Sequence, residues 1–221
     1  FSDVTDKVAP GLRLTGMVTG AIWSDFDDDG WIDLLITHEW GPVAVWKNDN
    51  GKLTNVSASA GTADRLGWWT GISAADVDGD GDMDYAVGNL GLNTKYHASK
   101  EKPYILYFGD LDGSGIPRIV EACHEGGILF PVRGKSCSTR AMPSLAKKFS
   151  NFHAFASATL PQIYAPNLLQ TAQRLAINEL SSGVLLNNGK GRFSFRSLPR
   201  MAQVSACFGL VFCDWDADGH M

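Results

Sequence analysis

Asp25-Phe26-Asp27-Asp28-Asp29-Gly30-Trp31-Ile32-Asp33 and Asp76-Val77-Asp78-Gly79-Asp80-Gly81-Asp82-Met83-Asp84 repeat one pattern, with acids at positions one, three, five and nine and a glycine at six. A third run, Asp110-Leu111-Asp112-Gly113-Ser114-Gly115, meets Arg118 at its ninth position. A fourth, Asp214-Trp215-Asp216-Ala217-Asp218-Gly219, stops with the sequence at Met221. Carboxylates on alternate residues, closed by a glycine that permits a sharp turn, let a short loop surround a hard cation with oxygen ligands. The competing reading is a solvated hairpin turn with the ordinary preference for Asp and Gly. Two complete copies, each followed by a strand-like apolar run (Asp33-Leu34-Leu35-Ile36 and Asp84-Tyr85-Ala86-Val87), favour the metal.

The repeat is larger than its loop. Phe1-Ser2-Asp3-Val4-Thr5, Leu53-Thr54-Asn55-Val56-Ser57 and Phe193-Ser194-Phe195-Arg196-Ser197 precede the first, second and fourth loops by 24, 23 and 21 residues. Matched turns, Asn48-Asp49-Asn50-Gly51-Lys52 and Asn187-Asn188-Gly189-Lys190-Gly191, lie ahead of the last two of these. Asn-Gly between β-prone runs is a strong hairpin signal. One unit therefore reads strand (Gly20–Trp23), acidic loop, strand (32–37), connection, strand (43–47), Asn-Gly turn, strand (52–56). The first two loops start 51 residues apart, within the range of a four-stranded propeller blade.

The intervals to the third and fourth loops, 34 and 104 residues, predict a shortened blade and then a long interruption. Residues 142–180 read as a helical insertion. In 167–176 apolar residues recur at helical spacing behind Pro166, and Phe149, Phe152 and Phe155 form an aromatic stripe at spacing three. The expected fold is all-β, a partial propeller over 1–221 with about four incomplete blades. Phe1 enters at an outer strand and Met221 falls inside a loop. A propeller must close to protect its edges, so the rest of a larger, seven-bladed ring is expected elsewhere.

Composition excludes several classes. With 44% hydrophobic residues, 24 glycines and seven tryptophans the chain is globular, and it has no 18-residue apolar run that would span a membrane. Fifteen of its 24 acids fall in the four loops. The remainder holds nine acids against 19 basic residues, so the net charge of −5 conceals a basic body of about +10. No basic run with interleaved aromatics suggests nucleic acid. Cys123, Cys137, Cys207 and Cys213 lack the spacing of a zinc site, and Cys207 and Cys213 read as one strand, too far apart to pair with each other. Disulfides of an exported protein and buried free thiols both remain open.

The calcium loops, the Asp-Leu-Leu-Ile and Asp-Tyr-Ala-Val strands and the 187–193 turn resemble FG-GAP/VCBS repeats, the blades of integrin-α-like propellers. The segment Gly88-Asn89-Leu90-Gly91-Leu92-Asn93-Thr94-Lys95-Tyr96, followed by a helical insert, resembles large secreted bacterial proteins with such repeats. Some of those carry an ASPIC/UnbV domain, which is not visible here. The resemblance implies a Ca²⁺-stabilised propeller that is secreted, periplasmic or at a cell surface. It also implies a binding or adhesion module for a protein or glycan rather than an enzyme. In such loops the carboxylates at positions one, three, five and nine bind calcium with the carbonyl at seven. Carried over, the first site is Asp25, Asp27, Asp29 and Asp33 with the Trp31 carbonyl. The second is Asp76, Asp78, Asp80 and Asp84 with the Asp82 carbonyl, and the fourth loop offers Asp214, Asp216 and Asp218.

Other readings compete. An EF-hand needs flanking helices and a glutamate at position twelve. That position is Ile36 or Val87, inside β-like runs. In the third loop either Arg118 neutralises Asp110 and Asp112, or Glu121 folds back as a ligand beside Ser114; the continuing strand at 117–120 favours the ion pair. A calcium-dependent polysaccharide lyase or hydrolase would draw a base from His38, Glu39, Glu121, Cys123, His124 or Glu125. No HExxH, GxSxG or phosphate-binding glycine loop is present. Trp40, Trp68 and Trp69 near connections could stack on sugars or anchor a partner. Alternation is expected to bury one of the Trp68-Trp69 pair and expose the other, whereas Trp23, Trp31, Trp46 and Trp215 are expected to pack between blades. A subunit of a larger surface assembly is a third possibility.

Overall fold

The structure, a computed structural model, describes residues 2–218. It is mostly antiparallel β and divides into two compact units. One is formed by the described parts of Phe1–His97 and Glu179–Met221, the other by Ala98–Asn178.

In the first unit, β1 (Met17–Ser24), β2 (Asp33–Gly41), β3 (Ala44–Asp49) and β4 (Lys52–Asn55) form a meander in sequence order, with β5 (Gly67–Trp68) added beyond a bulge in β2. The Asn-Gly turn forms as expected: Asn50 and Gly51 both take positive φ (51° and 84°), and Asp49 pairs with Lys52. β2 is buried on both faces, which explains why it reads as an unbroken apolar run rather than an alternating one. Leu35 points into a core shared with Phe26, Val45 and Trp69, together with Tyr85 and Leu185 of the next sheet. Leu34 and Ile36 point the other way, onto Ala44, Trp46, Leu53 and Ala9. Burying a side chain of this size contributes about 1.5–3 kcal/mol.

That second face explains a departure from the sequence reading. Residues 2–5 form no outer strand (Phe1 lies outside the described residues); instead α1 (Thr5–Val8) and a 3₁₀ turn at Leu12–Leu14 lay Val8, Ala9 and Leu12 over the sheet.

The second sheet begins with β6 (Gly71–Ala75) and β7 (Asp84–Gly88), joined by the second acidic loop. The chain then enters the second unit, where β8 (Tyr104–Gly109), β9 (Arg118–Glu125) and β10 (Ile128–Pro131) form a meander around the third loop. Five short helices follow: α3 (Lys135–Ala141), α4 (Ser144–Lys148), α5 (Phe152–Ala156), α6 (Leu160–Ile163) and α7 (Pro166–Thr171), α2 being Ser57–Ala60 in the first unit. β11 (Gln173–Ile177) then closes on the free edge of β8. Helix therefore starts earlier and ends earlier than 142–180, and the periodic stretch 167–176 is split between α7 and a strand. Helices this short have little intrinsic stability, so pairing with β8 decides the state of Gln173–Ile177. The aromatic stripe is also divided: Phe149 and Phe155 meet edge-on at 5.4 Å, while Phe152 is exposed.

β12 (Gly183–Asn187) and β13 (Phe193–Ser197) return to the first unit and complete the second sheet in the order β6-β7-β12-β13. The Asn187–Gly191 turn thus belongs to the second loop's sheet, not to a unit ahead of the fourth loop. Ala98–Asn178 is an insertion within a four-stranded meander, between its second and third strands. Its exit is held by Asn89, fully buried, whose N–H donates to Ser182 Oγ (2.9 Å) and whose Nδ2 donates to the Glu179 carbonyl (3.1 Å). The Gly91 N–H donates to the Leu180 carbonyl (2.8 Å). Gly91 takes φ +82°, and a β-carbon there would meet the carbonyls of Gln203 and Ser205 at 2.8 Å. Residues 205–213, which read as a strand, form none, and Cys207 and Cys213 lie in this irregular segment. All four cysteines are free thiols and none is buried.

Because the bonds at 89–91 and 179–182 close the insertion's base, replacing residues 98–178 by a Gly/Ser linker of about twelve residues, spanning about 20 Å, should leave the first unit folded. Retained near-ultraviolet circular dichroism and one cooperative urea transition are the expected outcome; a broad, non-cooperative transition would show that the second sheet needs the insertion.

Candidate metal centres

Each acidic loop folds onto its first aspartate. Asp25 accepts from the N–H groups of Asp29 (3.2 Å) and Gly30 (2.8 Å), and Asp76 from those of Gly79 (2.8 Å) and Gly81 (3.0 Å). The fifth residue repeats the move: Asp29 accepts from Trp31 N–H and Asp80 from Asp82 N–H, both at 2.9 Å. These side chains substitute for backbone turns. The fourth and sixth residues take left-handed backbone, Asp28 and Gly30 (φ 55° and 85°) and Gly79 and Gly81 (77° and 94°). Aspartate bears that conformation better than most side chains, and glycine bears it freely.

The result is convergence. Asp25, Asp27 and Asp29 each present a carboxylate oxygen within 4.8 Å of the others, as do Asp76, Asp78 and Asp84, and Asp214, Asp216 and Asp218. Asp33 stands outside the first of these groups and Asp80 outside the second. Trp31 and Asp82 hold position seven through their N–H bonds.

The ninth aspartates have a second task. Asp33 and Asp84 are fully buried. Asp33 accepts from Phe26 N–H (3.1 Å) and from Asn48 N–H on β3 (2.7 Å). Asp84 accepts from Val77 N–H (3.0 Å) and from Asn187 N–H on β12 (2.8 Å). One carboxylate thus ties a loop, the strand after it and the third strand of the sheet. Burial raises the Asp33 pKa, and the two N–H bonds work against that rise.

Electrostatically the two loops differ. Lys47 Nζ bonds Asp27 and, at 2.5 Å, Asp29. Desolvation pulls the Lys47 pKa down, but the bonds to both aspartates outweigh it and the pKa is raised; the Lys47 bond in turn holds Asp29 low. Among the described residues no lysine or arginine pairs with the second loop. There desolvation and then neighbouring carboxylates raise Asp78 and Asp82, and Asp28 of the first loop contributes to Asp82. Both donor sets fit a hard divalent cation: all-oxygen, convergent, uncompensated in the second loop, and in the first leaving Asp27 Oδ1 buried without a partner.

The third loop has the same turn, Asp110 accepting from the N–H groups of Gly113 and Gly115 at 2.8 Å, but no third acid converges on it. Arg118 forms no ion pair with Asp110 or Asp112 among the described residues, and its Nε is buried without a partner. Asp112 accepts instead from Ser144 Oγ (3.0 Å), and Glu121 lies 4.0 Å from Arg133. In the fourth loop Asp214 accepts from Asp218 N–H (3.1 Å), with Ala217 at φ 59°; its Gly219 lies outside the described residues. No loop has EF-hand flanks: Ile36 lies in β2 and Val87 in β7.

The remaining candidates scatter. His38 is buried, its Nδ1 bonded to the Pro42 carbonyl (2.8 Å) and its Nε2 to Thr15 Oγ1 (3.0 Å), and desolvation lowers its pKa. Glu39 stands on β2; Glu121, Cys123, His124 and Glu125 stand on β9. Trp69 is buried as alternation requires, but Trp68 is half-buried between Trp40 and Tyr96 (5.4 and 5.6 Å), and Trp40 is itself buried. Trp46 packs inside, whereas Trp23, Trp31 and Trp215 are exposed rather than packed. Sequence reasoning missed Lys47, Asn89 and the clamp made by Asn48 and Asn187. Aligning Asn48 with Asn187 would have exposed the contrast between Lys47 and Leu186.

Replacing Asp84 by alanine should orphan the half-buried N–H of Val77 and the buried N–H of Asn187 and cost about 2–4 kcal/mol in urea unfolding, with Asp82→Ala as a near-neutral control.

Residues 25–87 match the family model of the FG-GAP-like repeat. None of the curated proteins matches the chain. No helix among the described residues is long and apolar enough to cross a membrane. The matched segment starts on the first aspartate of the first loop and ends inside β7, so this part of the chain, which takes in both complete loops, is similar to the FG-GAP-like repeat.

Proposed function

We propose that the chain is a calcium-stabilised propeller module, its two four-stranded meanders serving as blades of a larger ring. On this reading it is secreted, periplasmic or at a cell surface, and it binds a protein or glycan rather than transforming a substrate. The observation that carries the reading is the same loop built twice, with carboxylates converging at its mouth and its ninth aspartate clamped to the third strand. Asp25, Asp27 and Asp29, and Asp76, Asp78 and Asp84, would hold the ion, with the Trp31 and Asp82 carbonyls completing the shells; Asp214, Asp216 and Asp218 offer a further set. Bound calcium supplies positive charge that carboxylates otherwise lack, and so fixes the link between adjacent strands. Exposed Trp23, just before the first loop, and Trp31, within it, offer flat faces suited to a sugar ring or a partner's side chain. Of the two histidines that a lyase or hydrolase would draw on, His38 is buried and bonded at both ring nitrogens, and His124 is bonded through Nδ1 to the Pro103 carbonyl (3.0 Å).

Calcium binding only to the folded state stabilises it by mass action. At a Kd of about 10⁻⁴–10⁻³ M, 10 mM calcium contributes about 1.4–2.7 kcal/mol per site, or about 3–10 °C in Tm for a chain of this size. The expected result with chelator-stripped protein is such a rise with calcium, little with magnesium, and none in the Asp27→Ala/Asp78→Ala double variant. No response to calcium would reduce the loops to acidic turns.

Acid should weaken the effect. Asp78 and Asp82 have raised pKas in the metal-free protein, so protons stabilise that loop as pH falls through them and compete with the ion. The calcium-induced rise in Tm is expected to be smaller at about pH 4.5 than at about pH 7; an equal rise would show that the Asp78 carboxylate does not bind the metal.

A further inference from the structure

We infer that Lys47 is an internal counter-ion that makes the two loops unequal: calcium enters the second loop directly, but in the first it must exchange with the Lys47 ammonium. This rests on the calcium reading above. The two positions are equivalent by register. Asn48 N–H binds Asp33 as Asn187 N–H binds Asp84, so the residue before each asparagine faces its loop in the same way. That residue is Lys47 in the first sheet and Leu186 in the second.

The ammonium is a partial occupant. It takes one oxygen each of Asp27 and Asp29, and Asp27 Oδ1 stays buried without a partner. An ammonium has three donors, whereas calcium accepts six to eight oxygens, so the loop retains acceptors that only the larger shell would satisfy. Lys47 also has somewhere to go. A groove of about 450 Å³, lined by Phe26, Asp27, Lys47, Ser59, Lys190 and Arg192, opens beside the loop, and the long flexible stem can carry its charge past it into water, where Lys190 and Arg192 repel it least. The second loop has no such competitor among the described residues, and its carboxylates repel one another until an ion arrives.

The exchange has a consequence opposite to that of ordinary ligand binding. Calcium should expose the Lys47 amine rather than protect it, and it should bind the first loop at least about tenfold more weakly than the second. Isothermal calorimetry on the chelator-stripped chain tests the second point. With the fourth loop's set removed by Asp214→Ala and Asp216→Ala, two unequal calcium sites are expected, with Asp78→Ala abolishing the tighter one and Lys47→Met strengthening the weaker one about tenfold. Leu186→Lys is the reciprocal variant and should weaken the tighter site alone. Amine acylation read by mass spectrometry tests the first point: Lys47 labelling should rise with calcium while Lys7 and Lys100 stay constant. Two equal sites, or a weaker site unchanged in Lys47→Met, would overturn the exchange while leaving calcium binding intact. Absence of calcium binding in the wild-type chain and both variants would overturn the calcium reading itself, and the exchange with it.

Discussion

A buried carboxylate at the end of each acidic loop organises the first unit. Asp33 and Asp84 are inaccessible to water, and an ionised carboxylate in that position is costly unless its oxygens are bonded. Each is bonded twice, once to the loop's own second residue and once to the third strand of its sheet. The loop cannot open without uncovering a charge and two backbone donors, and the third strand cannot slip without the same loss. Register in these sheets therefore does not depend on apolar pairing alone. It is fixed at the loop by two hydrogen bonds to one side chain, each worth about 1.5–3 kcal/mol because the acceptor is charged.

The clamp also accounts for the insertion. In the first sheet the Asp33–Asn48 bond spans 15 residues, in the second the Asp84–Asn187 bond spans 103, and the geometry is the same. The third strand is selected by what it offers to Asp84 and by its pairing with β7, not by nearness in the chain. A longer loop adds closure entropy only slowly, about 0.6 kcal/mol for each doubling, so a compact unit placed between the two strands costs the sheet little. Asn89 and Gly91 close the base of that excursion with bonds made wholly inside the first unit.

Much of the first sheet was legible because its signals are local. The alternate aspartates, the Asn50-Gly51 turn and the β-branched runs between them lie within four or five residues of the structure they determine. The turn of each complete loop was readable for the same reason, but which acids converge was not: Asp33 and Asp80 stand outside the groups in which the motif places them. What escaped was decided at a distance. Nothing within residues 183–197 says that this hairpin completes β6-β7, since the pairing that fixes it lies across the insertion. Gln173–Ile177 carries helical spacing and becomes a strand because β8 offers an unpaired edge. Residues 5–14 become a cover because Leu34, Ile36 and Trp46 need one. The third loop is of the same kind: Arg118 helps to lower the Asp112 pKa through its charge but makes no ion-pair contact with it, and Ser144, from a helix 32 residues beyond Asp112, donates the hydrogen bond.

Three-quarters of the first-loop sequence is matched in kind by the second, and a motif reading treats them as copies. Their surroundings separate them. The first loop sits beside a strand whose outward residue is a lysine, so its carboxylates are partly neutralised and Asp29 holds its proton less firmly than an isolated carboxylate. The second sits beside a strand with leucine at that place and feels Asp28 of its neighbour besides its own acids. A motif specifies which atoms can reach an ion, but the free energy of placing one there includes every charge the fold brings alongside. In this chain that second quantity is set by register: one residue before the clamped asparagine decides whether a loop meets a cation of its own or waits for one from solution.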